Sequence, residues 1–265
     1  MDQQTAEAAR SNRARGLLVR WRLGLLVAIV VVAAGGVAAW LVMSGADDES
    51  QPPSAVIVDQ LSLTSPDQAF VTEATHELEA AGYAVDYVRG EDVTVDYFRA
   101  LPKRGYDIVL VRAHAGRRVS GGGVTADIFT SEPYSTTSHE GEQRDGDLML
   151  GVLGGQESVA DAVFTIPAEF VEHQMQGDFD GATVVLMGCD VLGGERLARS
   201  FVDRGAGAVV GWDESVSAAH TDAATLSFLR YVLRDHLSVQ AATAAAGADV
   251  GKDPYYGSNL VSYPR

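Results

Sequence analysis

The chain has 265 residues, 46% of them hydrophobic, and a formal net charge of −16 at pH 7, which is enough to build a sizeable core and argues against nucleic acid as a partner. One cysteine rules out an intrachain disulfide, so Cys189 is a small buried apolar group, an intermolecular link or a reactive thiol. Eighteen of the 20 basic residues are Arg, with only Lys103 and Lys252 as lysines, a balance that fits a salt-adapted or GC-rich source as readily as a function.

Residues 1–22 read as a short basic tail and 23–43, "LGLLVAIVVVAAGGVAAWLVM", as a transmembrane helix: 21 residues without a charge match a hydrocarbon core of about 30 Å. Five arginines against Asp2 and Glu7 precede this run, while Asp47, Asp48 and Glu49 follow it. The positive-inside rule then leaves the amino terminus cytoplasmic and the remainder outside as a single-pass protein. A cleaved signal peptide is the rival, disfavoured by the length of the apolar run and by the poor cleavage signature in "MSGADD". Residues 44–53, "SGADDESQPP", read as a linker. The domain occupies 54–265.

Within that domain "SAVIVDQ" predicts a strand. "SPDQAFVTEATHELEAAG" predicts a helix with Ser65 as cap, Pro66 at its first position and Gly82 at its end. "YAVDYV" is a strand, "TVDYFRAL" a short helix opened by Thr94, and "DIVLVR" a strand ending just before His114. Such β-α-β-α-β alternation with nearly continuous apolar strands predicts a parallel sheet covered on both faces.

From 115 to 147 the composition turns to Gly, Ser, Thr and charge, predicting a long irregular loop insertion. Beyond it come a helix over Ala168–Met175 entered at Pro167, the strand "TVVLM" running to Cys189, a helix near Glu195–Asp203 and the strand "GAVVGW". Two final helices start at Thr221 and Ser238 as caps, with Asp222 as a first-turn acid.

Ligands of open parallel sheets bind outside the carboxyl ends of the strands. His114 and Cys189 each follow such an end, and a nucleophilic thiol needs a base held on a rigid element. Pairs that suggest metal, His220 with Asp222 and Asp178 with Asp180, lack further ligands and read as turn and cap chemistry. Neither a metal nor a cofactor is expected.

"LVRAHAG", "VVLMGCDVLGG", "GAGAVVGWDESVSAAHTDAATLSFLRYVL" and "SVQAATAAA" together resemble the caspase-like (clan CD) cysteine peptidases, among them caspases, gingipains, legumain, clostripain, separase and CHAT-domain proteins. The similarity runs from about Ser54 to Ala246, with most of it in Thr183–Ala246, and is greatest to the gingipain and CHAT branches. The resemblance implies a three-layer α/β/α sandwich with a mostly parallel sheet. It implies His114 as general acid/base and Cys189 as the nucleophile that forms an acyl-enzyme on a peptide or protein substrate, with an oxyanion held by the amides of Cys189, Ala115 and Gly116. It also implies a substrate pocket at Trp212, Asp213 and Glu214, whose acids would favour a basic residue before the scissile bond or else stand as solvated loop acids. Two departures bear on activity: His114-Ala115-Gly116 stands where the family has His-Gly, and Gly188-Cys189-Asp190 where Ala-Cys is commoner. An inward Asp190 carboxylate would raise the thiol pKa. The alternative is a catalytically silent caspase-like module that binds a peptide or partner at the cell surface.

Overall fold

The computed structural model describes residues 52–120, 123–153 and 161–264. The basic tail, the apolar run 23–43 and all of the linker except Pro52 and Pro53 lie outside the described residues. Among the described residues no helix is long and apolar enough to cross a membrane.

The chain opens with β1 (Ser54–Asp59), α1 (Gln68–Ala80), β2 (Ala84–Arg89), α2 (Val95–Ala100) and β3 (Ile108–Arg112). An excursion follows through β4 (Ala115–Ser120), β5 (Gly123–Pro133), α3 (Glu140–Asp145), β6 (Met149–Gly151), β7 (Val163–Ile166) and α4 (Ala168–His173). The chain then returns through β8 (Thr183–Leu186), α5 (Glu195–Asp203), β9 (Ala208–Trp212), α6 (Ala218–Leu233), α7 (Val239–Val250) and β10 (Leu260–Tyr263).

The central sheet has six strands in the order β10-β9-β8-β3-β1-β2. All its pairings are parallel except that of β10, which runs antiparallel to β9 at one edge. Alternation along the strands explains why both faces need cover. Ala55 and Ile57 of β1, Leu110 of β3 and Val185 of β8 face Phe70 and Leu78 of α1, Phe228 of α6 and Ala242 of α7. Their neighbours Val56, Val58, Val111 and Val184 face the opposite way, onto Phe98 of α2, Phe170 of α4 and Phe201 of α5. The protein is thus a mixed α/β structure with a largely parallel central sheet and helices on both sides.

Most of the described residues in the expected irregular loop at 115–147 instead form β4, β5 and α3. β4 and β5 form an antiparallel hairpin and join β7 and β6 in a second sheet of four strands, β4-β5-β7-β6. Alternate residues account for it: Ala126 and Ile128 of β5 with Phe164 and Ile166 of β7 make one apolar face that enters the same core as β3 and β8. The polar composition belongs to the other face and to the turns.

Four helix starts were predicted from capping residues; two hold and two shift. Thr94 and Ser238 cap as expected, accepting from Tyr97 N and Ala241 N, but α1 is capped by Asp67, which accepts from Phe70 N at 2.9 Å, and not by Ser65. α6 begins earlier than Thr221, at Ala218. Thr221 and Asp222 are therefore buried inside the helix. Thr221 Oγ1 accepts the Trp212 indole N–H at 2.9 Å, and Asp222 binds Arg112.

Arg112, the last residue of β3, is fully buried. Its Nε and Nη2 donate to the two oxygens of Asp222 at 2.8 and 2.9 Å, Nη1 donates to Asp59 Oδ1 at 2.9 Å, and Nη2 also reaches the Ser65 carbonyl at 2.9 Å. Burial opposes the charge, but the Asp222 and Asp59 bonds outweigh it and raise the guanidinium above its ordinary value. Removing one partner leaves an uncompensated buried charge, so Asp222→Ala is expected to lower stability by about 3–5 kcal/mol. Urea denaturation of the purified chain measures this, and a loss under about 1 kcal/mol would contradict it.

Candidate active site

β3 and β8 lie side by side with Val111 opposite Leu186, and Met187 N donates to Val111 O at 2.8 Å. His114 and Cys189 keep the same sequence offset as that pair, so both leave the sheet at one level on neighbouring strands. They line a cavity of about 160 Å³ together with Leu61, Ser65, Gly188 and Val216. The placement of both residues at adjacent strand ends follows from the strand pattern, because parallel neighbours deliver equivalent positions to the same edge.

The histidine is held from three sides. Gln60 Oε1 accepts its backbone N–H at 3.1 Å, and its ring Nε2 is 3.0 Å from Thr64 Oγ1. The ring meets Phe129 edge-on, with centroids 6.3 Å apart. Burial and the Arg112 charge lower its pKa below the ordinary 6.5, so the imidazole is neutral at pH 7 and has the free electron pair of a base. Nδ1 has no hydrogen-bond partner among the described residues.

Cys189 is half-buried. Its Sγ faces Val216: the Val216 N–H donates to sulfur at 3.4 Å and the thiol donates to Val216 O at 3.5 Å. No hydrogen bond joins Sγ to His114 in this resting arrangement. The next residue, Asp190, takes a left-handed backbone (φ 58°). Its carboxylate accepts from Ser215 Oγ at 3.0 Å and its amide donates to Glu214 O, so it braces the 213–217 loop.

That loop is tied at every second residue. The Asp213 carboxylate accepts from Asn259 N and Nδ2 at 2.7 and 2.9 Å, Ser258 Oγ donates to Ser215 O at 2.7 Å, and Ser217 donates through N and Oγ to Asp253 Oδ2. Asp253 also accepts from Tyr255 N and Tyr256 N. Burial pulls its carboxyl upward, yet these donors outweigh burial and hold it down at about 2.

The three residues expected to form a substrate pocket, Trp212, Asp213 and Glu214, are placed differently from one another. Trp212 is fully buried against α6, Asp213 is engaged by Asn259, and only Glu214 is exposed. An apolar strand end that packs a helix buries its tryptophan more fully than a loop would. Of the expected oxyanion donors, Phe129 N donates to His114 O, and the alternation of an antiparallel ladder then turns the Ala115 N–H away from β5 and the Gly116 N–H toward it. The Ala115 nitrogen faces Gly188, 3.3 Å from where a Cβ there would sit. Gln60, Thr64, Val216 and Asp253 had no signal of their own in the sequence; Asp253-Pro254 marks a turn but names no partner. Among the described residues no cluster of three His, Cys, Asp or Glu is placed to hold a metal ion.

No family model matches the chain, and no curated protein matches it.

Gly188 is required by contact. A Cβ there would lie 2.8 Å from both Ala113 O and Ala115 Cβ. Gly188→Ala is expected to cost about 1–3 kcal/mol, and adding Ala115→Gly should recover only part of the loss because the Ala113 carbonyl remains. Thermal unfolding of the single and double variants decides this, with full recovery counting against it.

Asp253 gives a pH-dependent brace. Its folded pKa of about 2 lies below the ordinary 3.8, so its stabilisation is complete above about pH 4 and disappears as pH falls toward 2. Asp253→Asn should be less stable than the parent by about 2 kcal/mol at pH 7 and converge with it near pH 2. Parallel curves of melting temperature against pH would refute the assignment.

Proposed function

We propose that the protein is a caspase-like cysteine endopeptidase of the three-layer α/β/α type, anchored by residues 23–43 with its domain outside the cell, in which Cys189 is the nucleophile and His114 the general acid/base. The single observation that carries this reading is the delivery of His114 and Cys189 from adjacent parallel strands, at equal register, into one cavity of about 160 Å³.

In the reaction Cys189 Sγ turns from Val216 toward His114 and attacks the substrate carbonyl carbon as its proton passes to the neutral imidazole. The amides of Cys189 and Ala115 receive the developing oxyanion. His114 then gives its proton to the departing amine, leaving an acyl-enzyme that water hydrolyses with His114 again as base. With Asp213 occupied by Asn259, a preference for a basic residue would rest on the exposed Glu214 alone.

A second reading, a silent peptide-binding module, is favoured by one observation: at rest Sγ is bonded to Val216 and the imidazole to Thr64, not to each other. Intact-mass labelling of the full chain in detergent with peptide-like electrophiles separates the two, since one cysteine makes any adduct unambiguous. Catalysis predicts fast labelling of folded protein, slowed about 10²–10⁴-fold in His114→Ala. Its acid limb should lie below the ordinary histidine value of 6.5, because the depressed pKa keeps the base free to lower pH. Labelling only after denaturation, or at equal rates in both proteins, would leave the binding module.

A further inference from the structure

No described residue lining the cavity at His114 and Cys189 is an Asp, Glu, Lys or Arg. Its walls are Leu61, Ala113, Met187, Val216 and Ala218, and Ser65 is its one polar member besides the two candidate reacting groups. Burial and the Arg112 charge keep the imidazole neutral at pH 7, so the lining offers no charge to a substrate side chain.

Charged groups stand close by in the chain, but each is turned to another partner. Arg112, two residues before His114, is enclosed by Asp59 and Asp222. Asp190, beside Cys189, accepts from Ser215, Asp213 from Asn259, and Asp253 from Ser217. Glu214 is exposed on its loop and does not line the cavity. A charged side chain that entered here would give up water and meet no counter-ion, which is strongly unfavourable.

Size narrows the choice further. An apolar cavity of about 150 Å³ takes a benzene-sized guest, and this one has about 160 Å³. Part of that space goes to the scissile carbonyl and its Cα, which must lie within reach of Sγ and the imidazole. The remainder suits an aliphatic side chain of about three or four carbons. Met187 and Val216 belong to the apolar cluster beneath α1 and α6, and Cys189 packs against it, so these walls are backed by close-packed core.

We propose that the substrate residue on the acyl side of the scissile bond is an uncharged aliphatic one, valine or leucine, whose side chain enters the part of the cavity walled by Leu61, Val216 and Ala218. The inference deepens the peptidase reading and rests on its placement of the peptide carbonyl at Cys189. Ala218, the first residue of α6, limits the size of that space, because its side chain is a single methyl group. An aliphatic preference replaces the basic one expected from Asp213 and Glu214.

Intact-mass labelling of the full chain in detergent tests it with peptide electrophiles that differ only in the residue next to the warhead: Ala, Val, Leu, Arg or Asp. The Val or Leu probe should label Cys189 at least about tenfold faster than the Ala probe, since one methylene in an apolar pocket is worth about 10–200-fold. It should be about a hundredfold or more faster than the Arg and Asp probes. Ala218→Leu fills the space and should bring the Val and Leu probes to the Ala rate or below it. The ranking is read on the unaltered chain, so it does not depend on the folding of that variant. An Arg or Asp probe that labels fastest, or equal rates for all five, would overturn the proposal and keep the peptidase reading. A Val or Leu preference that persists at equal rates in His114→Ala would keep the aliphatic pocket and remove the peptidase reading. Labelling of the folded chain by none of the five would overturn both.

Discussion

Arg112 is the point on which the two ends of the domain are fastened. A guanidinium with no solvent contact is costly unless its donors are met, and here Asp59 at the end of β1, Asp222 inside α6 and the Ser65 carbonyl ahead of α1 all meet it. Residues separated by more than 160 positions in the chain are thereby fixed around the carboxyl end of β3. Lysine could not replace this planar fork, which binds Asp222 with two nitrogens while a third reaches Asp59. The tie also acts two residues further along: the Arg112 charge helps to depress the His114 pKa, so one structural interaction contributes to the protonation state of the candidate base.

The same use of arginine recurs where helices meet. Glu77 of α1 is buried and accepts from Arg230 of α6 and from Arg234 just past its end, clamping together two of the helices that cover one face of the sheet. Burial works against its charge, but these bonds prevail and hold the carboxyl below its ordinary value. Arg118 does likewise between β5 and α4 through Asp127 and Glu169. The excess of Arg over Lys thus includes several forks that hold elements together.

Around the cysteine, the segments His114-Ala115-Gly116 and Gly188-Cys189-Asp190 fit each other. Ala115 occupies space beside residue 188 that only a glycine leaves open, so His-Ala-Gly and Gly-Cys-Asp are complementary features of one crowded strand crossing. Asp190 points its carboxylate to Ser215 and braces the loop that carries Val216. Sγ is gripped by the Val216 backbone, and that loop is held by Asp253, Asn259 and Ser258. Geometry at the thiol is thus set by residues from the last quarter of the chain.

The sequence alone determined the parallel sheet and the strand ends that deliver His114 and Cys189, because alternation of apolar residues and the βα rhythm are local properties that survive folding. It determined Thr94 and Ser238 as caps for the same reason: their partners lie three residues away. It did not disclose the hairpin of β4 and β5, whose Gly-, Ser- and Thr-rich strands have only one apolar face, legible once Phe164 and Ile166 lie beside Ile128. Nor did it disclose the fates of Trp212, Asp213 and Asp222. They read locally as strand-end, loop and helix-start residues, and each is claimed by a group of another element: Thr221 of α6 accepts from the Trp212 indole, Asn259 binds Asp213, and Arg112 binds Asp222. Whether a polar side chain faces a ligand or closes a buried hydrogen bond depends on which distant donor reaches it first, and only the tertiary structure decides that.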